Sequence, residues 1–548
     1  MKLTGTKKII LSLFVLLLFS GFFPGKSDIY FEISKNIDLF SKVYKEVSFN
    51  YVENIDPQQF MRAGIEGMLK SLDPYTTFID ENRKQDIDLI TNGKYGGVGI
   101  SIGIRGDDVM IVEVMDGYAS QRQGLRIGDV LIEANGVKIS AENVDEISSL
   151  VKGEPGTTVE LKIVRNNDLD TLKFNIVREE IIVKSLTYYS FYPKNSNTAY
   201  LKLSNFSRSA GDEIKKALLD LKSKKEIKNV ILDLRGNPGG LLDVAVDISN
   251  KFLAKGNLIV TTRGRGQLDE KKYYAMQEPI VGNSKLIVLI NGGSASASEI
   301  VAGAMQDHDR GVLIGTKSYG KGLVQTITPL DYNTSLKITT AKYYTPSGRL
   351  IQKINYSKDN KVFAEPDSII KSSFMTDNKR TVYSGGGITP DTTIGYEIEG
   401  DITKDLLAKG LFFTFADYYY YANPDQKFSS INDKDLFNSF EKYLKGQKYS
   451  YHSEAEKQID KMIASMSKRR VEGTIAADLE KIKNEFDRLD ISELKIYKDE
   501  CLVEMKAELA VRYKNSEARI EEYLNNDSQF QAALKILSND ALYNMLIK

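Results

Sequence analysis

The spacing of apolar residues changes along the chain, and each change marks a predicted domain boundary. In residues 26–94, apolar positions recur every three or four residues, as in FEISKNIDLFSKVYKEVSF and PQQFMRAGIEGMLKSL. This spacing predicts two amphipathic helices, the second with Pro57 in its first turn. Residues 95–180 instead contain short β-rich runs separated by Gly-Asp, Asn-Gly and Pro-Gly turns. That pattern predicts a compact β-rich module.

Residues 181–396 alternate apolar strands with amphipathic helices. The runs AYLKLSNF, NVILDLR and KLIVLI each precede a helical stretch, which predicts parallel β-α units with helices covering a sheet. Residues 397–548 are helical in pattern and highly charged, and they predict a solvated accessory domain without chemistry of its own. The predicted fold class is a multidomain α/β protein, with helical regions before the β-rich module and after the core.

Residues 1–25 have the pattern of an export signal. Three lysines in MKLTGTKK precede an apolar run from Ile9 to Phe23, and a basic start followed by such a run is typical of a secretory signal peptide. The run is shorter than the ~20 residues that span a bilayer, so an N-terminal membrane anchor is the second interpretation. Both interpretations predict a protein of the periplasm or cell envelope.

Composition excludes several classes of function. The 74 Lys and Arg residues balance 74 Asp and Glu residues, and no basic stripe is interleaved with aromatic residues, so nucleic acid is not an expected partner. Cys501 is the only cysteine, which excludes an intrachain disulfide. Asp307, His308 and Asp309 are metal-ligand types, but three consecutive residues do not converge on one face of a helix. No metal or cofactor is therefore expected.

The strongest chemical signal is the segment NGGSASASE, residues 291–299, between a predicted strand and a predicted helix. Its small residues allow a sharp turn, and a serine in that turn lies at the helix N-terminus, where backbone N–H groups favour an oxyanion. A helix cap is the alternative interpretation, since serine is a common N-cap residue. The segment alone does not distinguish the two interpretations.

A nucleophilic serine requires a general base, and neither histidine of this chain suits that role. His308 lies twelve residues beyond Ser296, which is about 18 Å along a helix. His452 lies in the charged C-terminal region. Lysine can act as the base when burial keeps it neutral, and the candidate is Lys321 in the glycine loop GTKSYGKG. A phosphate-binding lysine is the alternative, but the loop lacks the GxxxxGK[ST] pattern.

An oxyanion hole requires backbone N–H groups directed at one point. The segment DLRGNPGG, residues 233–240, is a second glycine turn, at the carboxyl end of a predicted strand. Sites assemble at such ends in α/β sheets. One glycine N–H of this turn, together with that of Ala297, is the candidate for the hole. Taken alone, the segment is also typical of a simple tight turn.

Five segments occur in the order found in the C-terminal processing peptidases, also called tail-specific proteases: DLRGNPGG, NGGSASASEI, GTKSYGKGLVQ, YYTPSGRLIQ and GGGITPD. Residues 35–395 resemble that family. The resemblance implies that Ser296 is the nucleophile, that Lys321 is the general base and that Gln325 positions Lys321. It further implies an oxyanion hole and a supporting acidic residue: Gly240 or Gly239 with Ala297, and Asp307.

The resemblance also identifies the β-rich module as a PDZ domain and implies a crotonase/Clp-protease architecture for the catalytic core. In the PDZ domain, Gly97, Val98, Gly99 and Ile100 would form the loop whose N–H groups bind the carboxylate of a substrate's C-terminal tail. The family often has an arginine where this chain has Lys152, a position that can link the PDZ domain to the active site. Lysine lacks the bidentate fork of arginine, so a switch at Lys152 is a separate hypothesis.

The predicted function is that of an exported serine endopeptidase that recognises C-terminal tails and cleaves through an acyl-enzyme. Its expected partners are proteins or peptides with exposed tails, with an activating or adaptor protein and a homo-oligomer as further expectations. The alternative is a non-catalytic PDZ scaffold or ligand carrier on the same fold. A trypsin-like PDZ protease is excluded, because no histidine is suitably placed and no GNSGGP segment occurs.

Overall fold

A computed structural model describes most of the chain. The described residues are 29–80, 93–106, 108–165, 171–266, 270–358, 360, 362, 372–395, 400–451, 454–468, 475, 478–479, 481–482 and 493–548. The predicted export signal, residues 1–25, lies outside these ranges. Within them, no helix combines the length and the apolar character that a membrane span requires.

The N-terminal unit, residues 1–78, contains two helices in its described part. Helix α1 spans Ile29–Asn50, and helix α2 spans Pro57–Lys70. The Asp56 carboxylate begins α2 by accepting two backbone N–H groups of its first turn, at 2.8 and 3.1 Å. Neither of these helices has a buried residue. The prediction of two helices in this region is confirmed, and many of their apolar side chains are exposed within the unit.

The β-rich module forms an antiparallel sheet with the order β3-β4-β5-β7-β8, in which β6 pairs with β5. Its core consists of alternate strand residues that pack against helix α4. A separate pairing of β2 with β9 joins the two ends of the module. No described strand pairs with the outer side of β3, which is therefore an edge. The elements from the end of the N-terminal unit onward are β1 (Thr77–Ile79), β2 (Lys94–Gly97), β3 (Ile100–Arg105), β4 (Asp108–Val114), α3 (Ala119–Arg122), β5 (Val130–Ala134), β6 (Val137–Lys138), a 3-10 turn (Ala141–Asn143), α4 (Val144–Val151), β7 (Thr158–Val164), β8 (Thr171–Val177) and β9 (Glu179–Ile182).

The region after the β-rich module contains a six-stranded sheet with the order β10-β11-β12-β15-β16-β21. Strand β10 is antiparallel to β11, and all other neighbours are parallel, which confirms the predicted β-α units. The elements are β10 (Leu186–Phe191), β11 (Thr198–Leu203), α5 (Ala210–Lys224), β12 (Asn229–Asp233), α6 (Leu242–Ser249), β13 (Leu258–Arg263), β14 (Glu270–Tyr274), β15 (Lys285–Ile290), α7 (Ala297–Asp307), β16 (Val312–Gly315), β17 (Leu323–Pro329), β18 (Ser335–Tyr344), β19 (Ser373–Met375), β20 (Thr381–Tyr383) and β21 (Thr392–Thr393).

A second layer of antiparallel strands supports the site. Strand β13 pairs with β14 and with β18, and β18 forms a hairpin with β17. Because β17 begins at Leu323, directly after the predicted lysine loop, this hairpin fixes where that loop ends.

The C-terminal region consists of α8 (Asp401–Ala408), α9 (Leu411–Ala422), a 3-10 turn (Phe428–Ser430), α10 (Asp433–Gly446), α11 (Glu454–Lys468), α12 (Lys498–Tyr513), α13 (Ser516–Asn526), α14 (Ser528–Leu537) and α15 (Asp540–Ile547). Its first helices and α12 build a core of their own, which includes Phe412, Phe440 and Met505. Helices α13–α15 instead pack on the six-stranded sheet, where Phe530 and Ala533 join Ile231 and the neighbouring strands in one apolar cluster.

The prediction of a solvated accessory domain is therefore wrong for α13–α15. Successive strand residues point to opposite faces of the sheet, so Val230 and Leu232 pack with α5–α7 while Ile231 packs with the C-terminal helices. Charged residues are frequent in the earlier helices of the region, whereas α14 and α15 are largely apolar and present apolar faces to the sheet. The second face of the core sheet is thus covered by helices that lie more than a hundred residues farther along the chain.

Candidate active site

Ser296 lies in the sharp turn between β15 and α7, with φ 54° and ψ −112°. A non-glycine residue with such a positive φ is strained by about 1–3 kcal/mol and persists only where its surroundings hold it. Its N–H donates to Glu299 Oε2 at 2.9 Å, and its carbonyl oxygen lies 3.0 Å from the Tyr343 hydroxyl. The backbone of Ser296 is therefore held from both sides.

The three serines of the segment differ in what their hydroxyl groups do. Ser294 Oγ donates to the carbonyl oxygen of Leu234 at 2.8 Å, and Ser298 Oγ donates to that of Asn237 at 2.9 Å. Both serines are fully buried. Ser296, in contrast, lines a cavity. The structure thus distinguishes one accessible serine from two that hold the turn in shape.

Glu299 joins the serine turn to the lysine loop. Its Oε1 accepts the Ser318 hydroxyl at 2.5 Å and the Gly320 N–H at 2.8 Å, while its Oε2 accepts the N–H groups of Ser296 and Lys321, both at 2.9 Å. The side chain is fully buried. One carboxylate therefore sets the backbone of Ser296 and of Lys321 relative to each other.

Burial raises the pKa of Glu299 to about 7, although the hydrogen bonds that it accepts act in the opposite direction. Tyr343 closes the same unit from β18: its hydroxyl lies 2.6 Å from the carbonyl oxygen of Lys321 as well as near that of Ser296. Burial, and secondarily the charge of Glu299, raise the pKa of Tyr343 well above its usual value. The phenol therefore stays protonated and can act as a donor.

The glycine turn after β12 contributes backbone donors. The Gly239 N–H donates to Asn237 Oδ1 at 2.9 Å. Among the hydrogen bonds of the described residues, the N–H groups of Gly240 and Ala297 have no protein acceptor. A Cβ placed on Gly239 would lie 2.9 Å from the Ala297 nitrogen, so the two segments are in close contact. The sequence did not distinguish Gly239 from Gly240 as the glycine of the oxyanion hole. Gly240 is the one whose N–H group is not already bonded to a described protein acceptor.

Two asparagine side chains, the buried Asn237 and the half-buried Asn291, connect this turn to its surroundings. Asn237 Nδ2 donates to the carbonyl oxygen of Leu203 at 2.8 Å. Asn291 Oδ1 accepts the N–H groups of Gly236 and Gly293, at 2.9 and 3.0 Å, and so links the glycine turn to the serine turn. The donor geometry is thus fixed by side chains that do not line the cavity.

A single cavity of about 780 Å³ receives residues from both the core and the β-rich module. The core contributes the predicted catalytic positions Ser296, Lys321, Gln325, Gly239, Gly240 and Ala297. The module contributes residues of β2 and β3, of the loop between them, and of the end of α4 and the position after it, including Tyr95, Val98, Ile100, Ser101, Ile102, Val151 and Lys152. Residues that are about 200 positions apart in the sequence therefore line the same cavity.

The remaining predicted residues differ in where they lie. Gln325 Nε2 donates to Thr339 Oγ1 at 3.2 Å across the β17–β18 hairpin. Lys152 Nζ lies 5.8 Å from the centre of the Tyr95 ring. Asp307 is at the opposite end of α7 from Ser296, where it is buried in an ion pair with Arg349 at 2.7 Å. The structure thus brings Gln325 and Lys152 to the cavity but not Asp307.

The predicted tail-binding loop connects β2 to the edge strand β3. Gly97, Val98 and Ile100 are buried, and Gly99 has φ 80°. The Ser120 hydroxyl donates to the carbonyl oxygen of Val98 at 2.6 Å. The Ser120 hydrogen bond therefore fixes the loop to the module. The outer edge of β3 pairs with no described strand.

Sequence reasoning missed the residues that hold the site together: Glu299, Tyr343, Asn237, Asn291 and Arg235. Only Glu299 has a local signal, because Ser-x-x-Glu before an apolar run is the pattern of a capping box. Here the glutamate also reaches the lysine loop, which no local pattern predicts. Within the described ranges, no group of three or more His, Cys, Asp or Glu side chains is arranged to hold a metal ion.

Four family models match successive parts of the chain. They are "Activating protease CtpB N-terminal domain" over residues 25–83, "PDZ domain" over 110–165, "Peptidase family S41" over 197–362, and "Probable PDZ-protease, C-terminal helical domain" over 402–537. The β-rich module is therefore a PDZ domain, and the predicted fold class is confirmed.

Curated relatives include the carboxy-terminal-processing protease of Bartonella bacilliformis, which is 40% identical over 59% of this chain and 74% of that protein. The carboxy-terminal processing protease CtpA of Bacillus subtilis is 32% identical over 58% of this chain and 66% of that protein. Among solved structures, a photosystem II D1 C-terminal processing protease is similar at 24% identity, covering 66% of this chain and 93% of that chain, with a TM-score of 0.36.

The predicted family and enzyme class are both confirmed by these relatives. The chain belongs to the carboxy-terminal-processing proteases of peptidase family S41, serine-type peptidases, and carries a PDZ domain.

Proposed function

We propose that this protein is a cell-envelope serine endopeptidase that binds C-terminal tails of its substrates through the PDZ domain and cleaves them with a Ser296–Lys321 dyad. The observation that carries the proposal is the shared cavity, which is lined by Ser296 and Lys321 from the core and by Ile100 and Lys152 from the PDZ domain. A peptide that adds to the PDZ edge strand therefore enters the same space as the nucleophile.

In the chemical step, Ser296 Oγ attacks the peptide carbonyl carbon and its proton passes to Lys321 Nζ. The carbonyl oxygen becomes an oxyanion that accepts the N–H groups of Gly240 and Ala297. The C–N bond then breaks, the amine leaves with the proton from Lys321, and water hydrolyses the acyl-enzyme with Lys321 again as base. Gln325 lies in the same cavity, and its proposed role, which the family resemblance implies, is to position the Lys321 side chain.

Tail recognition uses the free edge of β3. An extended tail adds as a further strand, and the N–H groups of the loop from Gly97 to Ile100 hold its carboxylate. Apolar tail residues are favoured, since Ile100, Ile102 and Val151 line this part of the cavity. Lys152 lies over the Tyr95 ring beside the cavity and would couple tail binding in the PDZ domain to the active site of the core.

Location and partners follow from the N-terminal region. The export signal or anchor of residues 1–25 directs the protein to the cell envelope. The two N-terminal helices, whose apolar residues include Ile33, Ile37 and Val43 and are exposed within their unit, would contact an activating or adaptor protein or a second copy of the chain.

The decisive experiment compares Ser296→Ala and Lys321→Ala with controls from the same segments. Gly292→Ala adds a methyl group to the serine segment at a position with no atom within 4 Å, and Lys317→Ala removes an exposed lysine of the lysine loop. With an unstructured peptide that has an apolar tail, both dyad variants should lose cleavage, whereas the controls should retain it.

A fluorophosphonate that labels nucleophilic serines provides the second readout, with mass spectrometry to locate the label. Labelling at Ser296 that disappears in Lys321→Ala supports the dyad. Full cleavage by either dyad variant would show that the assignment is wrong, and an unlabelled wild-type protein in the presence of tail peptide would favour the non-catalytic scaffold.

A further inference from the structure

The first turn of C-terminal helix α14 contacts the glycine turn of the active site. Arg235 Nη1 lies 2.6 Å from Asp527 Oδ2, the N-cap carboxylate of α14, and also donates to Gln529 Oε1 at 2.9 Å. The side chains of Arg235 and Asp527 are only 13% and 8% exposed. Because solvent is largely excluded from this ion pair, its charged hydrogen bonds are strong and directional, in contrast to the surface ion pairs of the same domain.

The same guanidinium also binds the end of strand β12. Arg235 Nε and Nη2 donate to the two carboxylate oxygens of Asp233 at 2.9 and 2.6 Å, and the Arg235 backbone N–H donates to Asp233 Oδ1 at 2.9 Å. The Tyr200 hydroxyl donates to Asp233 as well, at 2.6 Å. Burial opposes ionisation of Asp233, but Lys202 and Arg235 outweigh it and hold its pKa well below the usual range.

From Arg235 the contacts continue without interruption into the oxyanion turn. The next residue, Gly236, is held by Asn291, and the carbonyl oxygen of Asn237 accepts both the Ala295 N–H at 3.0 Å and the Ser298 hydroxyl at 2.9 Å. These bonds fix the glycine turn against the segment that contains Ser296. Arg235 and the residues directly after it therefore belong to one hydrogen-bonded unit with the segment that contains Ser296 and Ala297.

We infer that Asp527 and Gln529 are positioning residues for the peptidase reaction, so that the C-terminal helical domain takes part in forming the oxyanion hole. They act by holding Arg235, and through it the turn from Asp233 to Gly240. This inference rests on the proposed function, in which Gly240 and Ala297 stabilise the oxyanion. It assigns a catalytic purpose to a domain whose sequence carries no chemistry of its own.

The substitution Asp527→Asn isolates the contact. Asp527 Oδ1 caps α14 by accepting two N–H groups, at 2.9 and 3.0 Å, while Oδ2 pairs with Arg235. Asparagine is an equally good N-cap residue, so the variant keeps the helix start and removes only the charge that faces Arg235. Glu521→Gln is the matched control: Glu521, on α13, binds Tyr188 and Lys194 at the antiparallel edge of the same sheet.

The experiment measures four quantities in the full-length protein: kcat, KM, the affinity of uncleaved tail peptide, and inhibition by a peptide boronic acid, which forms a tetrahedral adduct with the serine. For Asp527→Asn we expect kcat to fall about tenfold and the boronate to bind about tenfold more weakly, because both depend on the oxyanion donors. We expect KM and the affinity of uncleaved tail peptide to stay at wild-type values. Glu521→Gln should match the wild type in all four measurements.

Wild-type kcat and boronate affinity in Asp527→Asn would overturn the inference, and so would equal losses in Asp527→Asn and Glu521→Gln. If Asp527→Asn does not fold, as judged by its thermal unfolding, Gln529→Met applies the same criteria, since it removes the second acceptor of Arg235. Absence of fluorophosphonate labelling at Ser296 in the wild type would refute the proposed function itself. Labelling there with no effect of either variant would refute only the role of the C-terminal domain.

Discussion

The two walls of the active-site cavity are built by different means. On the core wall, the serine turn, the lysine loop and the glycine turn are fixed by buried polar side chains, with Glu299 alone accepting four hydrogen bonds. On the PDZ wall, an unpaired strand edge and apolar side chains such as Ile100 and Val151 face the cavity. The first wall permits one arrangement of its donors, whereas the second can accept many sequences.

Because the two walls are built differently, substitutions on them should change different kinetic constants. Geometry on the core wall decides the stability of the transition state, since its donors must lie within hydrogen-bond distance of a developing charge. Contacts on the PDZ wall are made equally in the ground state and change the binding of substrate. Core substitutions should therefore lower kcat, while PDZ substitutions should raise KM.

The largest effect is expected for Gly239→Ala. Its φ is 102°, and a Cβ there would lie 2.7 Å from the carbonyl oxygen of Ala295 and 2.9 Å from Ser296 Cβ. The oxyanion turn must move, and we expect kcat to fall about 10³-fold. The control is Gly236→Ala in the same turn, which has φ 70° but no atom within 4 Å of the added Cβ. Equal kcat values for the two variants in peptide cleavage would contradict this picture.

Glu299→Gln should lower kcat about 10²-fold, because an amide has one acceptor oxygen where the carboxylate uses two. The matched control is Asp307→Asn, which removes another buried carboxylate from the opposite end of α7. We expect the control to lose stability in urea unfolding but to retain its kcat. A comparable loss of kcat in Asp307→Asn would instead give that residue the supporting role that the family resemblance implies.

The stability of the core wall should depend on pH through the same carboxyl group. Burial raises the pKa of Glu299 from 4.5 to about 7 in the folded state, so the folded protein binds a proton more tightly than the unfolded chain does. The resulting stabilisation is fully present below about pH 4.5 and is lost as the pH rises through about 7. It amounts to roughly 3 kcal/mol. Between pH 4.5 and 8, urea unfolding should show the free energy of unfolding of the wild type falling by about this amount relative to that of Glu299→Gln, whose amide does not titrate. A difference between the two proteins that stays constant with pH would contradict this prediction.

The smallest effect is expected on the PDZ wall. In Gly99→Ala, the Cβ would lie 2.7 Å from Tyr118 Cβ, and φ is 80°. We expect the tail-binding loop to shift and KM to rise about tenfold with kcat unchanged. Gly106→Ala is the control, since Gly106 has φ 63° and open space around it. A fall in kcat of Gly99→Ala, measured over a range of peptide concentrations, would show that the two walls are not independent.

Much of this organisation could be predicted from the sequence, because the determinants are local. Apolar periodicity predicted the N-terminal helices and the β-α units of the core. The glycine turns at strand ends, together with the family resemblance, selected Ser296 and Lys321, and the structure brings both to one cavity.

Other features depend on contacts between distant segments and have no local pattern. Glu299 contacts a loop about 20 residues away, and Arg235 pairs with a carboxylate 292 positions farther along the chain. The packing of α13–α15 on the core sheet was missed because the charged helices earlier in the C-terminal region dominated the prediction, whereas α14 and α15 are largely apolar and pack on the sheet.

The cover that α13–α15 provide for the core sheet also sets an order of events during biosynthesis. Ser296 and Lys321 leave the ribosome long before Asp527 does, and at about 5–20 residues per second the interval is tens of seconds. During that time the sheet has one uncovered apolar face, and Arg235 lacks its partner on α14. A nascent chain of this peptidase therefore carries its reactive groups well before it has the last helices that align them.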